Sequence, residues 1–402
     1  MLIAHPSPDL YGSDRMLLEA VAAFEADGWD VDVVLPGDGP LVAELARYRC
    51  RIAWAPMLVL RKAFLRPSGL AQLAVQSARS VLPTLRLIES SRPDLIYVNT
   101  LTIPGWLLAG RVTGRRVLAH VHEAESDVPR LVAVGLAAPL LAAHRVAVNS
   151  RATARVLTDA IAGLRRRIEL VYNGVPGPAE PAPPRERLDG PVRLVVVGRL
   201  SARKGTDVAV DALARLRDLG VPASLTLVGS VFPGYEWYEE QLRKQVHRLR
   251  LDDAVTFTGF VADVAAALAD ADIALVSSRV EPFGNTAIEA QLALRPVVVS
   301  ATQGLVETVD DGRYGSLAAP GDAADLAKKI RELVDGWPAA LERARGARER
   351  ALRDFSPEQF RRALLAVARR VTGGAMPGCS YSTMFGRGDD QITGRLPARS
   401  HR

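Results

Sequence analysis

Cysteine is nearly absent: Cys50 and Cys379 stand far apart in 402 residues. That excludes a disulfide scaffold and a cysteine-based metal knuckle, and it fits a reducing cytoplasm. No apolar run approaches the roughly 20 residues that a membrane-spanning helix needs. The longest, Leu131 to Ala143, contains a Gly and a Pro and ends at His144 and Arg145, and is expected to be a buried helix. The opening MLIAHPSPDLYGSD has no charged n-region, long apolar h-region or cleavage site, so a signal peptide is not expected and the localisation expected is cytoplasmic. Nucleic-acid modules are missing as well.

What is present is the composition of a globular chain, with 48% hydrophobic and 24% charged residues. At this length one core is too few, and two domains are expected. The net charge is +6, which suits phosphorylated substrates or an anionic surface. The excess is uneven. Residues 43–66 hold Arg47, Arg49, Arg51, Arg61, Lys62 and Arg66 against Glu44 alone, interleaved with Trp54, Met57, Leu58, Leu60 and Phe64. Mixed basic and apolar residues of this kind suit peripheral contact with an anionic membrane, beyond a strand expected at Arg51 to Pro56.

Short apolar runs alternate with stretches of helical period, the pattern of parallel sheets covered by helices. In the first half, strands are expected at Leu2 to His5, Asp30 to Leu35, Leu95 to Asn99, Val117 to Val121, Arg145 to Asn149 and Glu169 to Tyr172. A second series follows from Arg193 to Ser300. Between them, GVPGPAEPAPPRERLDGP at 174–191 is too rich in Pro to be an element. The expected division is a first domain at 1–173, this linker, a second domain at 192–353, a closing helix at 354–371 that crosses back to the first domain, and a disordered tail at 372–402.

Two constellations could carry chemistry. In VRLVVVGRLSARKG, Val192 to Gly205, a buried strand ends at Gly198 and is followed by Arg199 and Lys204. Two cations then stand at the carboxyl edge of a parallel sheet, where open α/β sheets bind ligands and helix amino termini add positive charge. Either they hold a diphosphate or they are solvated loop cations. In EPFGNTAIE, Glu281 to Glu289, one carboxylate lies in a strand-to-helix loop and the other inside the helix. The segment Phe283, Gly284, Asn285, Thr286 can offer backbone amides at that helix's start. His120 and His122 alternate on one strand and face one side. No cysteine or further histidine completes a ligand set there, so no metal site is expected, and His122 is either packed or in contact with a ligand. The pairs Asp30 with Asp32 and Asp270 with Asp272 are taken as structural.

GRLSARKG followed about eighty residues later by the two glutamates closely resembles the retaining glycosyltransferases of family 4, which have the GT-B fold. YGSDR after the first strand, HVHE, VYNGV, FTGF and GLVETVDDGRYGSLAAPGD agree with it in order over residues 1–371. The resemblance implies two Rossmann-like domains facing a central cleft and transfer of a sugar from a UDP or GDP type donor to an acceptor hydroxyl with retention. It implies no metal or other cofactor. Arg199 and Lys204 would hold the diphosphate, Glu289 the ribose and Glu281 the transferred sugar. Phe283, Gly284, Asn285 and Thr286 would wrap sugar and phosphates. Gly12 would approach the diphosphate from the first domain, His122 would touch the sugar, and Gly259 and Phe260 would lie near the nucleobase. Many family members carry paired glycines where Gly12 is here followed by Ser13. The acceptor would be a glycan, a lipid-linked sugar or a small molecule. Two other classes fit less well: a sugar-nucleotide-binding subunit without turnover, which the presence of all four charged residues disfavours, and a sugar-nucleotide epimerase.

Overall fold

The computed structural model describes residues 1–10, 12–60, 67–123, 125, 128–261 and 263–373, with side chains of 67–74 excluded. Among these residues, strands form two sheets. The first contains β1 (Leu2–Ala4), β2 (Asp32–Leu35), β3 (Arg51–Trp54), β4 (Leu95–Val98), β5 (Arg116–Val121), β6 (Arg145–Val148) and β7 (Ile168–Leu170), in the spatial order β3-β2-β1-β4-β5-β6-β7. The second contains β8 (Val192–Val197), β9 (Ala223–Val228), β10 (Val255–Gly259), β11 (Ile273–Val276), β12 (Val297–Ser300) and β13 (Ser316–Ala318), in the order β10-β9-β8-β11-β12-β13.

Every strand pair is parallel. Parallel strands are covered on both faces, which is why β4, β11 and β12 are buried along their whole length and read as unbroken apolar runs. In each sheet the order reverses between the first strand and the fourth. That reversal leaves a crevice at the carboxyl ends of β1 and β4, and another at those of β8 and β11.

The helix Pro357–Thr372 starts at Ser356, whose side chain accepts from the Gln359 amide. Its apolar face, Phe360, Leu364, Val367 and Val371, is buried with Ile3, Tyr97 and Leu118 of the first sheet's core. Arg361 with Glu19 at 2.7 Å and Arg369 with Asp27 fasten its outer face to the helix Gly12–Ala26 and its end. The chain's last described helix therefore belongs by packing to the first sheet.

The Pro-rich stretch 174–191 forms no helix or strand, yet it is held down. Arg185 forks onto the buried Asp272 carboxylate and Trp337 Nε1 donates to the Arg185 carbonyl at 2.9 Å. Asp272 also takes Arg193 Nη2 at 3.0 Å. Asp32 pairs with Arg51 at 2.6 Å. In one respect the expected picture needs correction. Residues 131–143 are not one buried helix: a helix ends at Ala137, a 3-10 turn runs Ala138–Ala142 around Pro139, and Leu131 is 84% exposed. The segment packs one side into the core, through Ala137, Leu140 and Ala143.

Candidate functional site

The crevices of the two sheets open onto one cleft of about 420 Å³. From the second sheet come Gly198, Arg199, Ser201, Arg203 and Lys204 after β8, and Glu281 to Thr286 with Glu289 after β11. The first sheet supplies Gly12, Ser13 and Arg15 at the start of a helix, His122 and Glu123 after β5, and Asn149 after β6. Residues far apart in sequence thus meet because both sheets present their carboxyl edges to the same space.

Local backbone geometry sets up the two loops of the second sheet. Gly205 has φ +64°, and a Cβ there would lie 2.0 Å from the Ser277 carbonyl oxygen. Only glycine tolerates that conformation and that approach together, so the turn carrying Lys204 can press against the end of β11. Ser277 Oγ closes the contact by donating to the Gly205 carbonyl at 2.8 Å. Gly284, at φ +107°, precedes the helix Asn285–Leu292, and no side chain caps that helix. Its first residues line the cleft, and the helix Gly12–Ala26 begins at the same cleft. Two helix amino ends therefore add their partial positive charge to Arg15, Arg199, Arg203 and Lys204.

Lys204 Nζ donates to Glu281 Oε2 at 2.5 Å, and Ser278 Oγ donates to the same oxygen at 3.2 Å. The guanidinium of Arg199 lies 3.1 Å from the Phe232 ring centre, a cation-π contact that fixes its plane. Burial pushes the Glu289 carboxyl up, while Arg15 and Lys204 pull it down. Arg203 reaches Glu125 of the first half at 3.4 Å. A second bridge crosses nearby: Glu307 accepts from the Arg151 and Ala152 amides at 2.9 and 2.8 Å, capping the helix Arg151–Ala160 from the opposite half.

His122 stands at the end of a buried polar chain. Asp14 Oδ1 accepts from His5 Nε2 at 2.7 Å, Asn99 Nδ2 donates to His5 Nδ1 at 3.0 Å, and Asn99 Oδ1 lies 2.8 Å from His122 Nε2. Because an amide oxygen only accepts, His122 carries its proton on Nε2. Its Nδ1 is buried without a hydrogen-bond partner. Burial first and His5 second hold the His122 imidazole down at about 3, against the pull of Asp14, so it is neutral in ordinary buffers. His120 lies on the same side as expected, 4.1 Å from His122 between ring centres, but it is wholly buried and 2.6 Å from the Tyr97 hydroxyl.

Several of the expected site residues sit differently from the simplest expectation. The Phe283 ring is 2% exposed and packs with Tyr172 and Phe355, so what it offers the cleft is main chain. Phe260 lines the cleft and is 60% exposed. Gly259 is not among the lining residues; it sits at φ +72° directly before Phe260, and its carbonyl accepts from the Gly229 amide at 2.9 Å. A Cβ on Gly12 would meet Asn285 Nδ2 at 3.4 Å, an ordinary contact, while Asn173 Nδ2 donates to Asn285 Oδ1 at 2.8 Å.

The sequence reading missed Arg15, Ser201, Arg203, Asn149 and Asn173 as lining residues. Each lies within or just after a motif or strand end that was recognised, and position at a carboxyl edge was the available signal. It also assigned Glu123 no role. That carboxylate accepts from the Thr100 hydroxyl and from the His122 amide at 3.1 Å, and burial pushes its pKa up. Among the described residues no group of three His, Cys, Asp or Glu side chains could hold a metal ion.

Comparison with known proteins covers both halves. A family profile described as Glycosyltransferase Family 4 matches residues 11–176, and one described as Glycosyl transferases group 1 matches residues 191–336. The chain is 31% identical over 351 residues to a 2-deoxystreptamine glucosyltransferase of Streptomyces kanamyceticus, covering 80% of this chain and 89% of the relative. It is 38% identical over 190 residues to a glycogen synthase of Mycobacterium tuberculosis, a match spanning 47% of this chain and 45% of that relative's length. Among solved structures, Anabaena HepE in complex with UDP and glucose superimposes with a TM-score of 0.75 at 23% identity, over 91% of this chain and 98% of HepE. Sucrose-phosphate synthase from Thermosynechococcus elongatus gives 0.71 at 22%, over 93% and 99%.

Proposed function

The chain belongs to the family 4, group 1 glycosyltransferases, and on that premise we propose that it moves a sugar from a nucleoside diphosphate donor to an acceptor hydroxyl with retention at the anomeric carbon. The observation that carries this reading is the convergence of Arg199, Lys204 and the amino ends of the helices Gly12–Ala26 and Asn285–Leu292 on one cleft that also holds Glu281 and Glu289. Such a site offers fixed positive charge where a departing diphosphate gains negative charge, which is how preorganised electrostatics lower a barrier.

In this reading Arg199 and Lys204 bind the diphosphate, and Thr286 with the Asn285 amide completes its cradle. Glu289 accepts from ribose hydroxyls. Glu281 and the His122 Nδ1 lone pair accept from hydroxyls of the transferred sugar, and exposed Phe260 lies beside the base. The bond between the anomeric carbon and the diphosphate oxygen breaks while the acceptor oxygen bonds to the same face. The acceptor's proton passes to the leaving phosphate. No side chain need act as nucleophile, and no metal is invoked, because guanidinium and ammonium groups neutralise the leaving group. UDP is the donor nucleotide favoured by likeness to HepE, solved with UDP and with UDP-glucose.

The test is turnover against a panel of UDP and GDP sugars. Lys204→Ala and Arg199→Ala should each lower it by about two orders of magnitude or more, the usual cost of removing one stabiliser of developing charge. Near-normal rates in both, with the fold intact by circular dichroism, would count against the assignment.

Peripheral membrane contact through residues 43–66 is part of the same proposal for a lipid-linked acceptor. Arg47 and Arg51 are already paired with Glu44 and Asp32, so the charge available for it rests on Arg49, Arg61, Lys62 and Arg66, of which the last three lie outside the described residues. No helix among the described residues is long and apolar enough to cross a membrane.

A further inference from the structure

The opposite edge of the first sheet carries a second cavity, of about 610 Å³. Arg116 and Arg145 are the first residues of β5 and β6, whereas His122 follows the last residue of β5. At about 3.3 Å per strand residue the two sites stand roughly 20 Å apart. Arg111 lies in the last turn of the helix Pro104–Val112, Arg166 ends the 3-10 turn Ala162–Arg166, and Arg167 follows it. Among the described residues, no Asp or Glu lines the cavity. Glu169 is shared between Arg145 at 3.5 Å and Arg370 at 3.3 Å, which leaves Arg111, Arg116, Arg166 and Arg167 uncompensated by it.

A solvated basic face would carry scattered arginines; this one is built around a histidine whose protonation the backbone fixes. The Val117 amide donates to His144 Nδ1 at 3.0 Å. A backbone N–H cannot accept, so a neutral His144 carries its proton on Nε2. Yet Arg111 Nη1, also a donor, lies 3.3 Å from that same Nε2. Two N–H donors converge there and neither supplies an acceptor to the other. Burial and then Arg111, Arg116 and Arg167 hold the His144 pKa down, the electrostatic signature of a place short of negative charge.

We propose that this cavity is an oxyanion site for a phosphate-bearing ligand, held by Arg111, Arg116, Arg166 and the His144 Nε2–H. Guanidinium groups pair phosphate oxygens through forked, charge-assisted hydrogen bonds. An oxygen seated between Arg111 and His144 accepts from both and removes the donor clash. The phosphate comes from a soluble phosphorylated compound or from an anionic lipid headgroup. This site does not rest on the reading of the cleft, and it lies at the β5–β6 side of the sheet, away from the β3 edge that precedes residues 57–66.

The full chain, labelled at histidine, is titrated with inorganic pyrophosphate while the His144 ring resonances are followed by NMR; in parallel it is sedimented with phosphatidylglycerol or phosphatidylcholine vesicles. His144 reports on its own cavity even if pyrophosphate also enters the cleft. The expected result with a soluble ligand is a saturable His144 shift and a raised titration midpoint, both weakened at least tenfold in the surface double variant Arg116→Gln, Arg166→Gln. With a headgroup ligand, sedimentation with phosphatidylglycerol alone falls in the same variant. A His144 resonance unmoved by pyrophosphate, together with sedimentation indifferent to the double variant, overturns the proposal. So does a His144 shift of equal affinity in the wild type and the variant.

Discussion

At the scale of single residues the cleft is poised rather than idle. Lys204 is tied to Glu281 at 2.5 Å, so a diphosphate must share or displace that carboxylate to reach the ammonium. Removing the negative charge should therefore strengthen binding of bare nucleoside diphosphate, which has no sugar for Glu281 to hold, while weakening catalysis. Glu281→Gln is expected to bind the favoured nucleoside diphosphate a few-fold more tightly by calorimetry and to lose at least tenfold in turnover. Weaker binding of the bare nucleotide would show that Glu281 serves to orient Lys204 and not to hold sugar.

The histidine chain makes a pH prediction. His122 falls from an ordinary 6.5 to about 3 on folding, with burial as the main cause, and His120 moves the same way. Between those values the unfolded chain binds more protons than the folded one, so stability rises with pH through the window. The contribution is complete above about pH 6.5 and is lost as pH falls toward 3. Melting temperatures between pH 7 and 4 should drop less steeply in His122→Gln, whose amide can still donate to Asn99, than in the wild type. Parallel profiles would remove His122 from the account of acid lability. Of this chain, only the facing of His120 and His122 was legible in the sequence. The partners His5, Asp14 and Asn99 come from other strands and a helix, 9 to 94 residues away along the chain, and nothing local in periodicity announces such a contact.

At the scale of elements, the strands bounding the cleft were the most legible, because a buried parallel strand writes itself as an apolar run. The expected Leu95 to Asn99, Val117 to Val121 and Arg145 to Asn149 agree with the structure to within a residue. The three-residue strand Ser316–Ala318 at a sheet edge was not anticipated, since an edge strand needs little apolar content. Leu131 to Ala143 misled because apolar composition was read as burial, whereas Pro139 breaks the helix and one side faces out. The turn that positions Lys204 offers a stability test. Gly205→Ala places a methyl 2.0 Å from the Ser277 carbonyl oxygen at φ +64°, and strain of this kind costs on the order of 1–3 kcal/mol. The expected outcome is a lower urea midpoint together with loss of turnover. An unchanged midpoint would mean that the loop can move away from β11 freely.

Glu307 acts between elements. Its carboxylate satisfies two orphan amides at the start of the helix Arg151–Ala160 although it belongs to the other half. Glu307→Ala removes a cap, worth about 1 kcal/mol, and one of the ties across the cleft. Increased amide exchange at Arg151 and Ala152 is expected; unchanged protection there would show the tie to be dispensable.

For the whole molecule, two doubly wound sheets face their carboxyl edges to one cleft, and the helix Pro357–Thr372 returns to pack on the first sheet. The general plan was readable from the alternation of runs and from motif order, while the bridges across the cleft, Glu307 to the helix Arg151–Ala160 and Arg203 to Glu125, were not, because they join segments that share no local pattern. The account's central claim is that the cleft binds a nucleoside diphosphate through Arg199 and Lys204 without a metal. Titration calorimetry of UDP and GDP in EDTA, with wild type and Lys204→Ala, tests it most directly. The account predicts saturable binding of one of the two by the wild type in chelator, weakened at least tenfold in the variant. Binding that vanishes in EDTA and returns with magnesium, or equal affinity in the variant, would contradict it.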